Sequence, residues 1–240
     1  MVLNPEDDLN TSHDAGVSPA PVFDPATLNP TGRWKAYAGS PWANIGTAGG
    51  YAQASTPPAA SSGGAIYDGV DEYLAASLPW SAFFGGGGSA PFGGIVYVYI
   101  DEVTIDATSQ NANDSLLCTR GTGYSALYLR NNAGTKSVHY YVWNGAADVS
   151  CFAPVTTGAW VAIHRRYTGT HIQVGVGGVW GLAVEGVLNT QIAALTLDFG
   201  GNIDAVTWSR FKKRERLFFN FSPTDQNITD VIGYFDATYR

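Results

Sequence analysis

When a nucleophile and an acid share the cleavage of a glycosidic bond, two carboxyl groups must stand about 5 Å apart. The nearest candidate in this chain is Asp101-Glu102-Val103-Thr104-Ile105-Asp106. On a regular strand Asp101 and Asp106 fall on opposite faces, so the run does not build that pair. Asp68, Asp71 and Glu72 straddle a turn instead of lining one face. The histidines, His13, His139, His164 and His171, lack His-x-x-x-His or Cys-His ligand spacing. No Gly-x-Ser-x-Gly motif occurs, and Gly85–Gly88 is not followed by Gly-Lys-Ser/Thr. These absences point away from an enzyme, and no catalytic residue is assigned.

A second pattern suits recognition. On the polar phase of the alternating segments lie Tyr97 and Tyr99, Tyr128 and Arg130, and His139, Tyr141 and Trp143. His164 and Arg166, then His171 and Gln173, continue that phase. Flat rings stack on the C–H face of a sugar, while His, Arg and Gln bond its hydroxyls. The expectation is a polar-aromatic sheet face, against the plainer reading that some of these rings are core. Arg210, Lys212, Lys213, Arg214 and Arg216 supply five of the thirteen Lys and Arg. That cluster reads as a solvated strand end or loop, or as a contact for an acidic surface. The acidic partner could be a polysaccharide or residues 1–32 of a neighbouring copy.

Strands must position these groups. Trp160 to Arg166 alternates, with Val161 and Ile163 on one side and His164 and Arg166 on the other. After Tyr167-Thr168-Gly169-Thr170, the run His171 to Val176 alternates again, which makes an antiparallel hairpin with one buried face. A lone hairpin is marginal in water, so it must lie against a larger sheet. Ile95–Ile100, Leu116–Arg120, Tyr124–Arg130 and Ser137–Trp143 read as further strands, as do Ala194–Phe199 and Ala205–Ser209, while Val149–Pro154 leads into the hairpin. Ala65 to Leu74 reads as strand, Asp-Gly turn, strand, followed by loop through Gly88. Thr31 to Gly64 reads as irregular, with Trp34, Trp42 and Tyr51 covering core edges. A single short helix is expected near the C-terminus, capped by Ser222 or Asp225, with Ile228, Val231, Ile232 and Phe235 on its apolar side.

Composition agrees. With 29 Gly, 13% aromatics and one Met in 240 residues, many strands joined by tight turns fit better than helices. The net charge of −7 argues against nucleic acid and anionic membrane as partners. No apolar run reaches the roughly 18 residues of a membrane span, and MVLNPEDDLN does not read as a signal peptide. Residues 1–32 hold five acids and no Lys before Arg33, which reads as an extended acidic arm ahead of one domain over 33–240. Cys118 and Cys151 are expected as free buried thiols, with a bridge as the alternative.

Taken in order, FDPATLNPTGRW, AIYDGVDEYL, IVYVYIDE, LLCTRGTGYSALYLRNNAG, TTGAWVAIHRRYTGTHIQVGVGGV and SPTDQNITDVIGYFDATY resemble the concanavalin A-like (laminin G-like) jelly rolls. The likeness is to versions found in phage virion proteins and bacterial surface proteins, and it covers roughly 23–240. It implies an all-β, two-sheet antiparallel jelly-roll sandwich with a short C-terminal helix, and it implies that Trp160, which matches the family's buried Trp, lies in the core. Glucanases of this fold carry Glu-x-Asp-x-x-Glu, which the 101–106 run lacks. Such domains often hold Ca²⁺ at loop ends; Asn144, Asp148, Asp198, Asn202 and Asp204 are turn-placed donors, with Asp148, Asn202 and Asp204 the leading set. Ordinary turn chemistry explains the same residues, and no cofactor is required. The resemblance implies a phage virion structural protein, a capsid decoration, fibre or tail component. Its expected partners are other virion proteins, further copies of itself and host-surface glycans. The alternatives are a bacterial surface carbohydrate-binding protein at the cell surface or outside the cell and, behind it, a glycoside hydrolase.

Overall fold

Alternation along the chain becomes layers in space. The computed structural model describes residues 23–37, 40–44, 52–53, 59–61, 64–68, 74–86, 88–100, 114–119, 125–132, 134–199, 201–202, 207–208 and 210–239. In chain order the early strands are β1 (Gly32–Tyr37), β2 (Ser40–Asn44), β3 (Ala52–Gln53), β4 (Ala59–Ser61), β5 (Gly64–Asp68) and β6 (Leu74–Pro79). A turn of helix, α1 (Trp80–Phe84), precedes β7 (Phe92–Ile100), β8 (Asp114–Thr119), β9 (Ser125–Asn132), β10 (Thr135–Trp143) and β11 (Asp148–Pro154). Then come β12 (Ala159–Tyr167), β13 (His171–Val176), β14 (Val179–Trp180) and β15 (Val184–Glu185). The chain closes with β16 (Thr196–Phe199), β17 (Gly201–Asn202), β18 (Thr207–Trp208), β19 (Arg210–Phe219) and α2 (Asp225–Tyr239).

Sheet A runs β14-β13-β12-β7-β19-β1-β2, with β15 on β13, β5 on β19 and β4 on β5. Sheet B runs β11-β10-β9-β8-β16-β6-β3, and β17 pairs β18 separately. Every pairing is antiparallel, so the chain is an all-β sandwich with one C-terminal helix of 15 residues. The expected hairpin forms with Tyr167 opposite Ile172, and Gly169 takes φ +99° in its turn, where a side chain would be strained. The inner faces meet in one core: Val96, Val98 and Ile163 from sheet A against Leu127, Val138 and Tyr140 from sheet B.

Three expectations change. The 65–74 segment is not a hairpin: β5 joins sheet A and β6 joins sheet B. The stretch expected as loop holds β6 and α1, whose Trp80, Phe83 and Phe84 are all fully buried in the core. Part of the segment read as irregular forms β1 and β2, and β1 lies beside β19. Residues 23–32 pack on the domain, with Pro25 buried and Phe23 against the helix-side cluster.

The helix begins as a reciprocal cap. Thr224 Oγ1 accepts from Asn227 N–H at 3.1 Å, and Asn227 Oδ1 accepts from Thr224 N–H at 3.0 Å. The cap is therefore Thr224, not Ser222 or Asp225. Ile228, Val231 and Phe235 then bury against Ile95, Tyr97, Ala162, Leu217 and Phe219 on the outer face of sheet A. Cys151 is a free buried thiol, and burial pushes its pKa up to about 12, which leaves it inert at neutral pH. Among the described residues no helix is long and apolar enough to cross a membrane.

Candidate ligand-binding face

The outer face of sheet B carries a row of rings. His139 on β10 lies directly opposite Tyr128 on β9 and Phe152 on β11, so one register line crosses three strands. The Tyr128–His139 centroids are 5.4 Å apart with planes 15° from parallel, and His139–Phe152 repeats this at 5.4 Å and 22°. Near-parallel rings at that spacing overlap as shingles, so much of each face is covered by its neighbour. Phe152 ends the row and is 59% exposed. Tyr141 stands edge-on to Tyr128 at 6.4 Å.

Polar groups flank the rings. Arg130 and Ser137 form the next register line, and Ser137 Oγ lies 2.9 Å from His139 Nε2. Half-burial, then the positive charge of Arg130, lowers the His139 pKa below the ordinary histidine value. The ring is thus neutral at pH 7. Burial raises the Tyr128 pKa, with Arg130 opposing and Asp148 reinforcing. The row therefore presents rings, a phenol, a guanidinium and an imidazole, which suits it to holding a polar ligand with one flat apolar side. Trp143, half-buried at the end of β10, stands opposite Asp148.

The expected single platform is corrected here. Tyr128, Arg130, His139, Tyr141 and Trp143 share sheet B, whereas Tyr97, Tyr99, His164 and Arg166 lie on the far side of the sandwich, on sheet A. Alternation gives a residue's phase on its strand but not its sheet, and the two outer faces point away from each other. Tyr97 is 1% exposed and stacks on Trp160, Phe235 and Tyr239 at 5.3, 5.0 and 5.7 Å. Trp160 itself is half-buried between sheet and helix, not inside the sandwich. His164 is fully buried and edge-on to Trp180, its Nε2 accepting from Gly178 N–H at 3.2 Å. Only glycine fits beside it, since a Cβ on Gly175 would stand 2.3 Å from the imidazole. Burial, then the charge of Arg166, drives the His164 pKa down to about 3. Arg166 pairs with Asp225 at 2.7 Å and lies over the Trp180 ring at 4.2 Å, which fastens the start of α2. Tyr99 keeps a half-exposed ring near Lys212. Tyr97 and His164 thus cannot touch a ligand; they seat the helix.

The basic cluster is corrected as well. It forms β19, which runs through sheet A between β7 and β1, so alternation sends its charges to both faces. Lys213 and Arg216 point into the sandwich and are fully buried, the Lys213 pKa pulled well down by burial and by Arg216. A register shift between Lys213 and Glu215 leaves Arg214 on the helix side, its guanidinium over Trp160 and Tyr239 at 4.5 and 5.2 Å. Lys212 is exposed, and nothing is described of the Arg210 side chain. Among the described side chains of this cluster no basic patch forms. Of the proposed metal donors, Asp148 opens β11 in sheet B, Asn202 is on β17, and Asp204 lies outside the described residues. Among the described residues no three His, Cys, Asp or Glu side chains converge.

Sequence reasoning missed Phe152. The signal was a large ring in phase with Ser150 and Pro154 while Cys151 and Ala153 turn inward. It also missed Glu215, which is buried on the helix side of β19. Glu215 takes a 2.6 Å bond from Arg33 Nε and accepts from the Tyr234 and Tyr239 hydroxyls at 3.1 and 2.7 Å.

No protein-family model matches the chain. No curated protein matches it in sequence. Solved structures do match in fold. The receptor binding domain of botulinum neurotoxin mosaic serotype C/D superposes with a TM-score of 0.66 at 8% identity over 85% of this chain and 50% of that one. The serotype D ligand binding domain in complex with N-acetylneuraminic acid gives 0.63 at 9% over 85% and 50%. The receptor binding domain of botulinum neurotoxin D gives 0.64 at 10% over 85% and 53%. The chain spans about half the length of these domains, and at such identity the likeness is one of fold.

Proposed function

We propose that this chain is a non-enzymatic recognition domain whose Tyr128–His139–Phe152 row binds carbohydrate. The observation that carries the reading is Phe152, a phenyl ring 59% exposed at the end of a row with a guanidinium and an imidazole in reach. Stacking on a pyranose would offset the cost of leaving that ring in water, while Arg130 and the Tyr128 hydroxyl select among hydroxyl and acid groups. The botulinum domain held with N-acetylneuraminic acid makes acidic sugars the first ligands to test, since Arg130 would meet a carboxylate. A glycan array followed by calorimetry is the test. Phe152→Ser is expected to weaken the best ligand about tenfold or more with the fold intact; an array with no hit, or equal affinity for both proteins, overturns the reading.

The finer reading is that the domain belongs to a phage particle, as a decoration, fibre or tail component that turns this face toward host-surface glycans. The collinear motif resemblance supports it. Mass spectrometry and electron microscopy of particles from the source host would find the chain at fixed copy number; its absence there, with the protein on the bacterial surface, favours the cell-surface alternative. The row uses only groups of the chain itself, so binding should survive chelation of Ca²⁺.

A further inference from the structure

Exposed apolar side chains gather beside the end of the ring row. Among the described residues Phe152, Val179, Leu182 and Val187 are large, apolar and exposed, Leu182 the most so at 84%. Phe152 is on β11, the last strand of sheet B, and the other three belong to the run Gly177 to Leu188 around β14 and β15 at the edge of sheet A. That run carries a single charge, Glu185. It folds onto β11. Gly181 donates its N–H to the Val174 carbonyl at 2.8 Å, and a Cβ on Gly181 would stand 2.3 Å from the Phe152 carbonyl oxygen. Further along, a Cβ on Gly186 would stand 2.8 Å from Val149 on the same strand. Leu182 is one Cα step of about 3.8 Å from Gly181, which stands it beside Phe152, as Val187 stands beside Val149.

The ring row points toward this corner. Tyr128, His139 and Phe152 share one register line across β9, β10 and β11, and their near-parallel stacking covers the inner faces. Since β11 ends sheet B, no further strand of that sheet brings a ring against Phe152, and its face turned away from His139 stays open. Coplanar rings would follow a polymer, one sugar on each; a shingled row leaves one face, and so one stacked sugar. Leu182 flanks that face. A hydroxyl pressed against an aliphatic side chain loses bonds to water and gains none, whereas a methyl group gains by the contact. We propose that Phe152 and Leu182 form a subsite for one sugar unit that carries a methyl group, as acetamido and 6-deoxy sugars do. The sugar ring stacks on Phe152 and its methyl lies against Leu182. This preference rests on the ring row binding carbohydrate, and experiment separates the two.

Titrations of the full chain, followed by NMR, compare three pairs: N-acetylglucosamine with glucose, L-rhamnose with L-mannose, and N-acetylneuraminic acid with its 5-hydroxy analogue. In at least one pair the methyl-bearing sugar should bind about fourfold more tightly, the worth of one buried methyl group, and that pair identifies the substituent. Leu182→Ser, a change at a side chain already in water, should bring the ratio close to one and leave the methyl-free partner's affinity unchanged. Phe152→Ser should weaken both members of the pair. Ratios near one in all three pairs, or a ratio that survives Leu182→Ser, overturn the subsite while the ring row stands as a carbohydrate site. If none of the six sugars binds, the subsite is overturned, and the glycan array alone decides the fate of the row. Lengthening N-acetylglucosamine to its β-1,4-linked tetramer should change affinity less than about threefold. A gain of about tenfold or more would reveal several stacking faces and overturn the single-sugar assignment.

Discussion

The two outer faces of the sandwich carry similar residues and have opposite fates. On sheet A, Tyr97, Trp160, His164 and Arg166 sit beneath or beside the C-terminal helix, and Tyr97 is 1% exposed. On sheet B, Tyr128, His139 and Phe152 make a comparable ring row that ends in a phenyl group 59% exposed. What separates them is the partner waiting for each. The apolar side of α2, Ile228, Val231 and Phe235, needs a seat, and sheet A supplies Ile95, Leu217 and Phe219 among its polar-aromatic residues. Sheet B mixes its rings with Ser137, Ser150 and Arg130, which gives a helix little to bury. A polar-aromatic strand face is therefore ambiguous by itself; aliphatic residues interleaved with it mark the covered kind.

The comparison breaks most sharply at the helix seat. Glu215 has a fully buried side chain that takes bonds from Arg33, Tyr234 and Tyr239, joining β1, β19 and α2. Glu215→Ala leaves the Arg33 charge, only 8% exposed, without its closest anion. A loss of roughly 3–5 kcal/mol is expected in urea unfolding. A loss under about 1 kcal/mol would mean that the helix is held by its apolar contacts alone.

Acid tests the same seat more gently. In the folded chain His164 has its pKa near 3, against an ordinary 6.5, because burial and then Arg166 disfavour its charged form. Below pH 6.5 the unfolded chain takes up a proton that the folded chain refuses, so stability falls as the pH drops toward 3. At about 1.4 kcal/mol per pH unit the deficit reaches roughly 3 kcal/mol at pH 4. His164→Leu should flatten that part of the stability profile, measured by denaturant midpoints between pH 7 and pH 4. An unchanged slope would show that the imidazole is not the group responsible.

How much of this was legible beforehand follows from what a period of two can encode. It placed β7, β9, β10, β12 and β13 and gave the correct phase for Tyr97, His139 and His164, because each of these strands sets aliphatic residues against polar ones. It could not say which sheet a strand joins, so residues on opposite sides of the sandwich were merged into one platform. β19 was hidden for another reason. RFKKRERLFF is dominated by charge, and charges are rare inside a central strand unless partners pay for them. Glu215 among the basic residues, followed by Leu217-Phe218-Phe219, was the signal that one of them is paired and the segment buried. Phe152 is missed because Val149 to Pro154 reads only as the lead-in to the hairpin, so neither face of β11 is considered.

The smallest effect sharpens the contrast from the other side. Phe152 already stands largely in water, and its removal opens no cavity in the core cluster formed by Cys151, Ala153 and the inner faces. Phe152→Ser forfeits one ring contact, with His139 at 5.4 Å, and exposes a little more of that neighbour. The change in unfolding free energy should stay within about 0.5 kcal/mol, the range of ordinary surface substitutions. A loss of 2 kcal/mol or more would make the row a structural spine of sheet B. A near-neutral result would mean that stability does not explain the exposed ring, since water favours Ser there. The same variant then separates the two faces cleanly, since on sheet A the rings maintain the fold and on sheet B the terminal ring is free to meet something else.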